Sequence, residues 1–204
     1  YKHVFWDGNY MSIFQFVKPN TQSFMRRMKP TCIRDIATAT SIHRPGPLSL
    51  SVDEKFLNNR ENHANLKYEH PLLKEVLEDT ENLLIFQEQL QLIYHKLCGI
   101  PLDETDGVRK AFTKKEINNK EKAAAERDKL KGEFIKLSKE NAGVDEKMSS
   151  KFFDNMAALV AYSFNLSHAI SYSLATYQCA HFLTYHPDEW VTSCLDYSAT
   201  EKGK

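Results

Sequence analysis

Ser167-His168-Ala169-Ile170-Ser171-Tyr172-Ser173-Leu174-Ala175-Thr176-Tyr177-Gln178-Cys179-Ala180-His181-Phe182-Leu183-Thr184-Tyr185 is a strongly apolar run that reads as one long helix. Ser167 is a natural cap for it, because a serine hydroxyl accepts an orphan backbone N–H of the first turn. His186-Pro187 ends it, since proline lacks the N–H and its ring clashes with the preceding turn. Upstream, Tyr162-Ser163-Phe164-Asn165 breaks a second helix carrying Phe152, Phe153, Met156, Leu159 and Val160, which Ser149 or Ser150 can cap. Downstream, a last helix runs through Trp190, Val191, Cys194 and Leu195.

Helical periods dominate the rest of the chain as well. Thr21 precedes a short helix with Phe24, Met25 and Met28, stopped by Lys29-Pro30. Thr31 can cap a helix through Ile33, Ile36 and Ala37 that runs to Arg44-Pro45-Gly46-Pro47. Residues 49–69, with Asn58, Asn59, Asn62 and Asn65, read as a long surface loop. His70-Pro71 opens a helix, Leu83-Leu84-Ile85-Phe86 leads into another with Leu90, Ile93 and Leu97 on one face, and Gly99 is its stop. Asp103 can cap a short helix through Val108, Ala111 and Phe112, and residues 114–141 form a highly charged helix with few apolar anchors. The one strand-like signal lies in residues 4–17, at Val4-Phe5-Trp6 and Ser12-Ile13-Phe14-Gln15-Phe16. The fold class is therefore mainly α, with at most a short strand near the N-terminus.

At 42% hydrophobic and 26% charged, the 204 residues suit a soluble globular fold with enough apolar side chains for a core. No run approaches the roughly 18 apolar residues of a membrane span, and the N-terminus carries no signal-peptide pattern. Cys32, Cys98, Cys179 and Cys194 are far apart and form no CxxC, which reads as reduced, buried thiols in a cytoplasmic protein. Net charge is zero but unevenly placed. Residues 53–106 hold 12 acidic against 5 basic side chains, residues 108–151 hold 13 basic against 8 acidic, and residues 18–44 hold 6 basic against 1 acidic. The two basic segments make a polyanionic partner possible if the fold joins them, while solvated helix faces account for the same charges.

Four constellations bear on chemistry. Arg44-Pro45-Gly46-Pro47 is a stiff turn whose glycine permits close approach of a ligand, or a plain helix stop. Phe86-Gln87-Glu88-Gln89 places three polar side chains at a helix start, either as a positioning network or as ordinary N-terminal polarity. Arg109 and Lys110, adjacent and therefore splayed, recur with Lys114 and Lys115 as counter-charge fit for a triphosphate, or as a solvated basic face. Asn165, Ser167 and His168 sit at a helix N-terminus, where backbone N–H groups favour an anion, with Tyr172 one turn on and able to stack on a base or sugar. No nucleophile elbow, Walker loop, HExxH or dinucleotide fingerprint is present, and Asp103 and Asp106 are discounted as metal ligands.

The order of these motifs is more telling than any one of them. Ile13-Phe14-Gln15-Phe16, Met28-Lys29-Pro30, Asp35-Ile36-Ala37, Arg44-Pro45-Gly46-Pro47, His70-Pro71-Leu72, Phe86-Gln87-Glu88-Gln89, Gly107-Val108-Arg109-Lys110-Ala111 with Lys114-Lys115, and Phe164-Asn165-Leu166-Ser167-His168-Ala169 occur in sequence, followed by Tyr172, Tyr177-Gln178 and Tyr185-His186-Pro187. Over about residues 10 to 195 the chain resembles the alpha subunit of bacterial DNA polymerase III, the C-family replicase found also in phages.

The resemblance implies a mainly helical fingers domain that closes on the incoming nucleotide. It implies a lead-in over 1–20 from a palm domain, fingers over 21–197 and a disordered tail over 198–204. It implies that Arg109, Lys110, Lys114 and Lys115 bind the triphosphate, and that Arg44, Asn165, Ser167 and His168 line the nucleotide site. Partners implied are deoxynucleoside triphosphate, primer-template DNA, and palm and thumb domains of a parent polymerase, with no membrane. Two Mg²⁺ belong to palm aspartates outside the chain, so this segment holds no catalytic carboxylate, binds no cofactor and is expected to be inactive alone. The chain departs from the family pattern at Leu166, where Lys is usual, at Lys110, where a second Arg is usual, at Ser163, where Gly is common, and at Asn82, where a Tyr-Gly pair is usual. Lys110 is a point charge without the guanidinium fork. Leu166 and Lys110 also suit a non-catalytic helical interaction module derived from that domain.

Overall fold

Small side chains bring two helices together: α2 (Ile33–Ile42) and α10 (Leu166–Tyr185) pack on each other. The computed structural model describes residues 1–113 and 120–201. On α10, Ala169, Ser173, Thr176, Ala180 and Leu183 are buried, at steps of four, three, four and three, one stripe of a helix. On α2, Ile36, Ala37, Ala39, Ser41 and Ile42 are buried. Ala and Ser allow close backbone approach, at the risk of stranding hydroxyls away from water. Here Ser173 Oγ donates to the Ala169 carbonyl at 2.7 Å and Ser41 Oγ to the Ala37 carbonyl at 2.7 Å, so each is satisfied within its own helix.

The chain divides into two compact units, Tyr1–Leu57 with Leu166–Lys204, and Asn58–Asn165. The first unit also holds α1 (Pro19–Met28), α3 (Pro45–Ser49), the start of α4 (Val52–Glu61) and α11 (Pro187–Glu201). The expected strand near the N-terminus does not form; no strand occurs among the described residues. Lys2–Trp6 makes one wide helical turn instead. Residues 8–18 then run irregularly, with left-handed backbone at Ser12 and Gln15. Those kinks put Ile13 and Phe16 in the core and leave Phe14 partly exposed, whereas a strand would set Phe14 and Phe16 on the same face. Phe5, Tyr10 and Phe16 pack with ring centroids 6.0–6.5 Å apart. No partner strand exists among the described residues to use the alternation.

A second correction concerns residues 49–69, which contain α4 and a short 3₁₀ turn at His63–Asn65. Asparagine disfavours helix only by tenths of a kcal/mol. Burial of Val52, Phe56 and Leu57 outweighs it, since a buried Val, Leu or Phe contributes about 1.5–3 kcal/mol. Helix starts shift too. Thr31 does not cap α2; the Asp35 carboxylate reaches back to accept the Thr31 N–H at 2.7 Å and hydroxyl at 3.1 Å. The helix expected from Ser149 or Ser150 is α9 (Glu146–Val160), capped by Asp145, which accepts the Met148 N–H at 3.1 Å.

The second unit is built around α6 (Gln87–Cys98), whose Leu90, Ile93, Tyr94 and Leu97 form an i, i+3, i+4, i+7 stripe. Against it lie α5 (Pro71–Leu77), α7 (Thr105–Thr113) and α8 (Lys120–Ala142), and α9 packs on α8. The charged α8 holds on by a thin stripe: Phe134 is fully buried, and its ring sits 5.2 Å from Tyr94 and 5.7 Å from Phe153. All four cysteines are free, but only Cys98 is buried, where desolvation pushes its thiol up to about 12. Cys32 is exposed and Cys179 and Cys194 are half-buried, which corrects the expectation of uniformly buried thiols.

Candidate functional site

Helix α7 is amphipathic in a way that sorts its charges. Val108 and Phe112, one turn apart, pack against the core, with the Phe112 ring 6.3 Å from Tyr94 and 5.5 Å from Phe153. Asp106, Arg109 and Lys110 are left to meet one another. Oδ1 of Asp106 accepts from Arg109 Nε at 2.8 Å and from its Nη2 at 2.8 Å, while Oδ2 accepts from Lys110 Nζ at 2.8 Å. The expectation that Arg109 and Lys110 splay apart is therefore wrong. Their flexible stems converge on one carboxylate, because i+3 and i+4 both neighbour position i on a helix. Lys110 and Arg109 together hold the Asp106 carboxyl below the usual carboxylate range. Lys114 and Lys115, the rest of the expected cluster, lie outside the described residues.

The Phe86-Gln87-Glu88-Gln89 motif is the positioning network of the second unit. Gln89 is buried, and its Oε1 accepts the N–H groups of Ile85 at 2.8 Å and Phe86 at 2.9 Å. Its Nε2 donates to the Val76 carbonyl at 3.2 Å and Thr80 Oγ1 at 2.6 Å. Gln87 and Glu88 hold the segment entering α10. The Gln87 N–H donates to the Phe164 carbonyl at 2.9 Å, and the Phe164 N–H donates to the Ile85 carbonyl at 2.9 Å. Asn165 Nδ2 donates to Glu88 Oε1 at 2.9 Å, so the Asn165 amide is oriented by a carboxylate 77 positions away.

In the first unit, Arg44 is extended at φ −130 and ψ 153, as a residue before proline must be, and Pro45 opens α3. The Arg-Pro-Gly-Pro segment thus follows the end of α2, as a helix stop would, and also begins another helical turn. Ser167 is the second residue of α10, not its cap, and its carbonyl accepts from Ser171 Oγ at 2.9 Å. His168 and Tyr172 pack with tilted rings, centroids 4.3 Å apart, and the Tyr172 ring lies 5.5 Å from that of Phe14. Thr176 Oγ1 donates to the Phe14 carbonyl at 3.1 Å, which ties the irregular N-terminal segment to α10. Arg44, Ser167, His168 and Tyr172 thus fall in one unit, and Arg109, Lys110 and Asn165 in the other.

The sequence reading does not supply the partners of three residues: Asp106, Glu88 and Phe14. Asp106 had a usable signal, a carboxylate three and four positions before a cation pair. For Glu88 and Phe14 spacing gives no partner, since Asn165 and Thr176 are remote in sequence. No group of three or more His, Cys, Asp or Glu side chains among the described residues is arranged to hold a metal ion, and no helix among them is long and apolar enough to cross a membrane.

Residues 1–142 match the family model described as the bacterial DNA polymerase III alpha subunit finger domain. The chain is similar to DNA polymerase III subunit alpha of Chlamydia muridarum, 32% identical over 197 residues, covering 96% of this chain and 15% of that protein. It is similar to the subunit of the same name from Vibrio cholerae, 30% identical over 203 residues, covering 96% of this chain and 17% of that protein. A Buchnera aphidicola relative of the same name is 32% identical over 197 residues, covering 93% of this chain and 16% of that protein. The chain therefore spans about one-sixth of the length of these relatives. It belongs to the bacterial DNA polymerase III alpha subunit finger domain family.

Proposed function

We propose that this chain is the nucleotide- and template-binding fingers segment of a DNA-directed DNA polymerase used in replication, and that α7 grips the triphosphate of the incoming deoxynucleotide. The observation that supports this most directly is the convergence of Arg109 and Lys110 on the two oxygens of Asp106. Two cations that close on a carboxylate in this way can close on phosphate oxygens, which are anionic acceptors with more charge. By the same reading Lys114 and Lys115, which follow α7 in the sequence, add counter-charge, and Arg44, Asn165, Ser167, His168 and Tyr172 are further nucleotide-binding residues. Glu88 orients Asn165 for that role, leaving the α10 entry fixed before the nucleotide arrives.

In the parent polymerase, palm aspartates outside this chain would hold two Mg²⁺, which would supply the charge that phosphoryl transfer requires. The fingers contribute positioning, with primer-template DNA and the palm and thumb domains as partners. The test is titration of the chain with a deoxynucleoside triphosphate, watched by NMR at Arg109, Lys110 and His168. Shifts saturating at millimolar nucleotide, lost in Arg109→Ala and weakened by salt, are expected. No shift at millimolar nucleotide refutes the phosphate reading and favours a helical interaction module. Robust DNA synthesis by the chain alone contradicts the division of labour.

A further inference from the structure

We infer that Asp106 is a built-in counter-ion that occupies the triphosphate grip of α7 until a phosphate displaces it. The inference rests on the phosphate reading of Arg109 and Lys110 and identifies a positioning residue for it. Three facts carry it. Asp106 uses both oxygens, one on the Nε and Nη2 edge of Arg109 and the other on Lys110 Nζ. The three residues lie within two turns of one helix, so the contact forms without ordering a separate segment. The Asp106 side chain is 41% exposed and that of Lys110 65%, so an incoming anion reaches the pair through water.

The Nε–Nη2 edge is the fork that a phosphate takes bidentately. Asp106 and a phosphate therefore compete for the same hydrogens of Arg109. In the free state Asp106 keeps two adjacent cations gathered and partly neutralised. On binding, the phosphate replaces it, and the carboxylate swings back to water. An exposed contact of this kind is weak, which suits a grip that must release pyrophosphate every cycle.

The experiment uses the 204-residue chain with inorganic tripolyphosphate as the probe, and four samples: unmodified, Asp106→Asn, Asp103→Asn and Arg109→Ala. Asp106→Asn is expected to bind about two- to five-fold tighter, the value of an exposed ion pair. Asp103→Asn removes the same charge from the exposed position before α7 and is expected to change affinity less. In the unmodified chain, the ¹³C shift of the Asp106 carboxyl is expected to move toward that of a free aspartate, and its apparent pKa to rise, as tripolyphosphate saturates. That measurement needs no variant, so it stands even if Asp106→Asn loosens α7. If Arg109→Ala weakens binding but Asp106→Asn does not tighten it, or tightens it no more than Asp103→Asn, the counter-ion role is overturned while the phosphate reading stands. A stationary Asp106 carboxyl at saturation overturns it too. Unchanged affinity in Arg109→Ala removes the phosphate reading and this inference together.

Discussion

Gln89 is the side chain whose loss should do most damage for its size. It is 5% exposed and makes four hydrogen bonds, to two backbone N–H groups, one carbonyl and the Thr80 hydroxyl. Gln89→Met keeps the shape of the side chain and removes every one of these. At about 0.5–1.5 kcal/mol net per hydrogen bond, the loss is about 2–6 kcal/mol, with the buried Ile85 and Phe86 N–H groups pushing it to the upper half. Trp6 and Trp190 both lie in the first unit, so tryptophan fluorescence is the wrong probe. Amide hydrogen exchange of the second unit, read at Leu90, Ile93 and Leu97, measures the cost where it falls. The same variant should loosen the Ser163–Asn165 segment, because Gln87 and Glu88 hold that segment from the turn Gln89 fixes. Gln89→Glu retains acceptor oxygens for the two N–H groups and is expected to cost less at pH 5 than at pH 7, since a buried carboxylate is tolerated best when neutral. A loss below about 1 kcal/mol in Gln89→Met would refute the claim that this amide organises the motif.

Gly99→Ala should destabilise the second unit by about 2–3 kcal/mol in urea unfolding: about 1 for alanine in left-handed backbone and the rest from displacing Asn141. Gly99 has φ 70, and a Cβ there would stand 2.7 Å from Asn141 Oδ1, while Asn141 Nδ2 caps α6 at the carbonyls of Lys96 and Leu97, 3.2 Å each. Asn141→Ala should cost about 1 kcal/mol, and the double variant less than the sum, because both act on the same cap. Burial holds the pKa of His43 below its ordinary 6.5, with Asp53 opposing weakly. A group with a lowered histidine pKa binds fewer protons folded than unfolded, so its contribution is present above pH 6.5 and lost as pH falls through the folded value. Stability measured at pH 7.5 should therefore exceed that at pH 5.5, and His43→Phe should flatten this part of the dependence. An undiminished slope in that variant would assign it to other groups.

Much of the fold was legible in the sequence for a local reason. A helix is specified by neighbours three and four residues apart, so α6 and α10 announced themselves through apolar periodicity, Pro187 and the Gly99 stop. α4 was missed because its polar sequence gives only Val52, Phe56 and Leu57 as anchors, and their worth depends on a core that local reading does not see. The N-terminal segment misled in the opposite direction. Its alternation resembles a strand, but strands need partners, and left-handed backbone at Ser12 and Gln15 uses the same residues to fill a helical core.

Residue types and their order placed the chain in its family and marked Arg109, Lys110 and Asn165 as the groups to watch. Their partners were a matter of tertiary structure. Glu88 meets Asn165 across 77 positions, and Thr176 meets the Phe14 carbonyl across 162. Asp106 is the exception that explains the rule: its link to Arg109 and Lys110 spans one helical turn, within reach of spacing alone, yet whether flexible stems splay or converge is settled by side-chain electrostatics in the folded helix. Sequence determines where charges and helix stops stand along the chain; only packing decides which of them meet, because that depends on distances the chain closes in three dimensions.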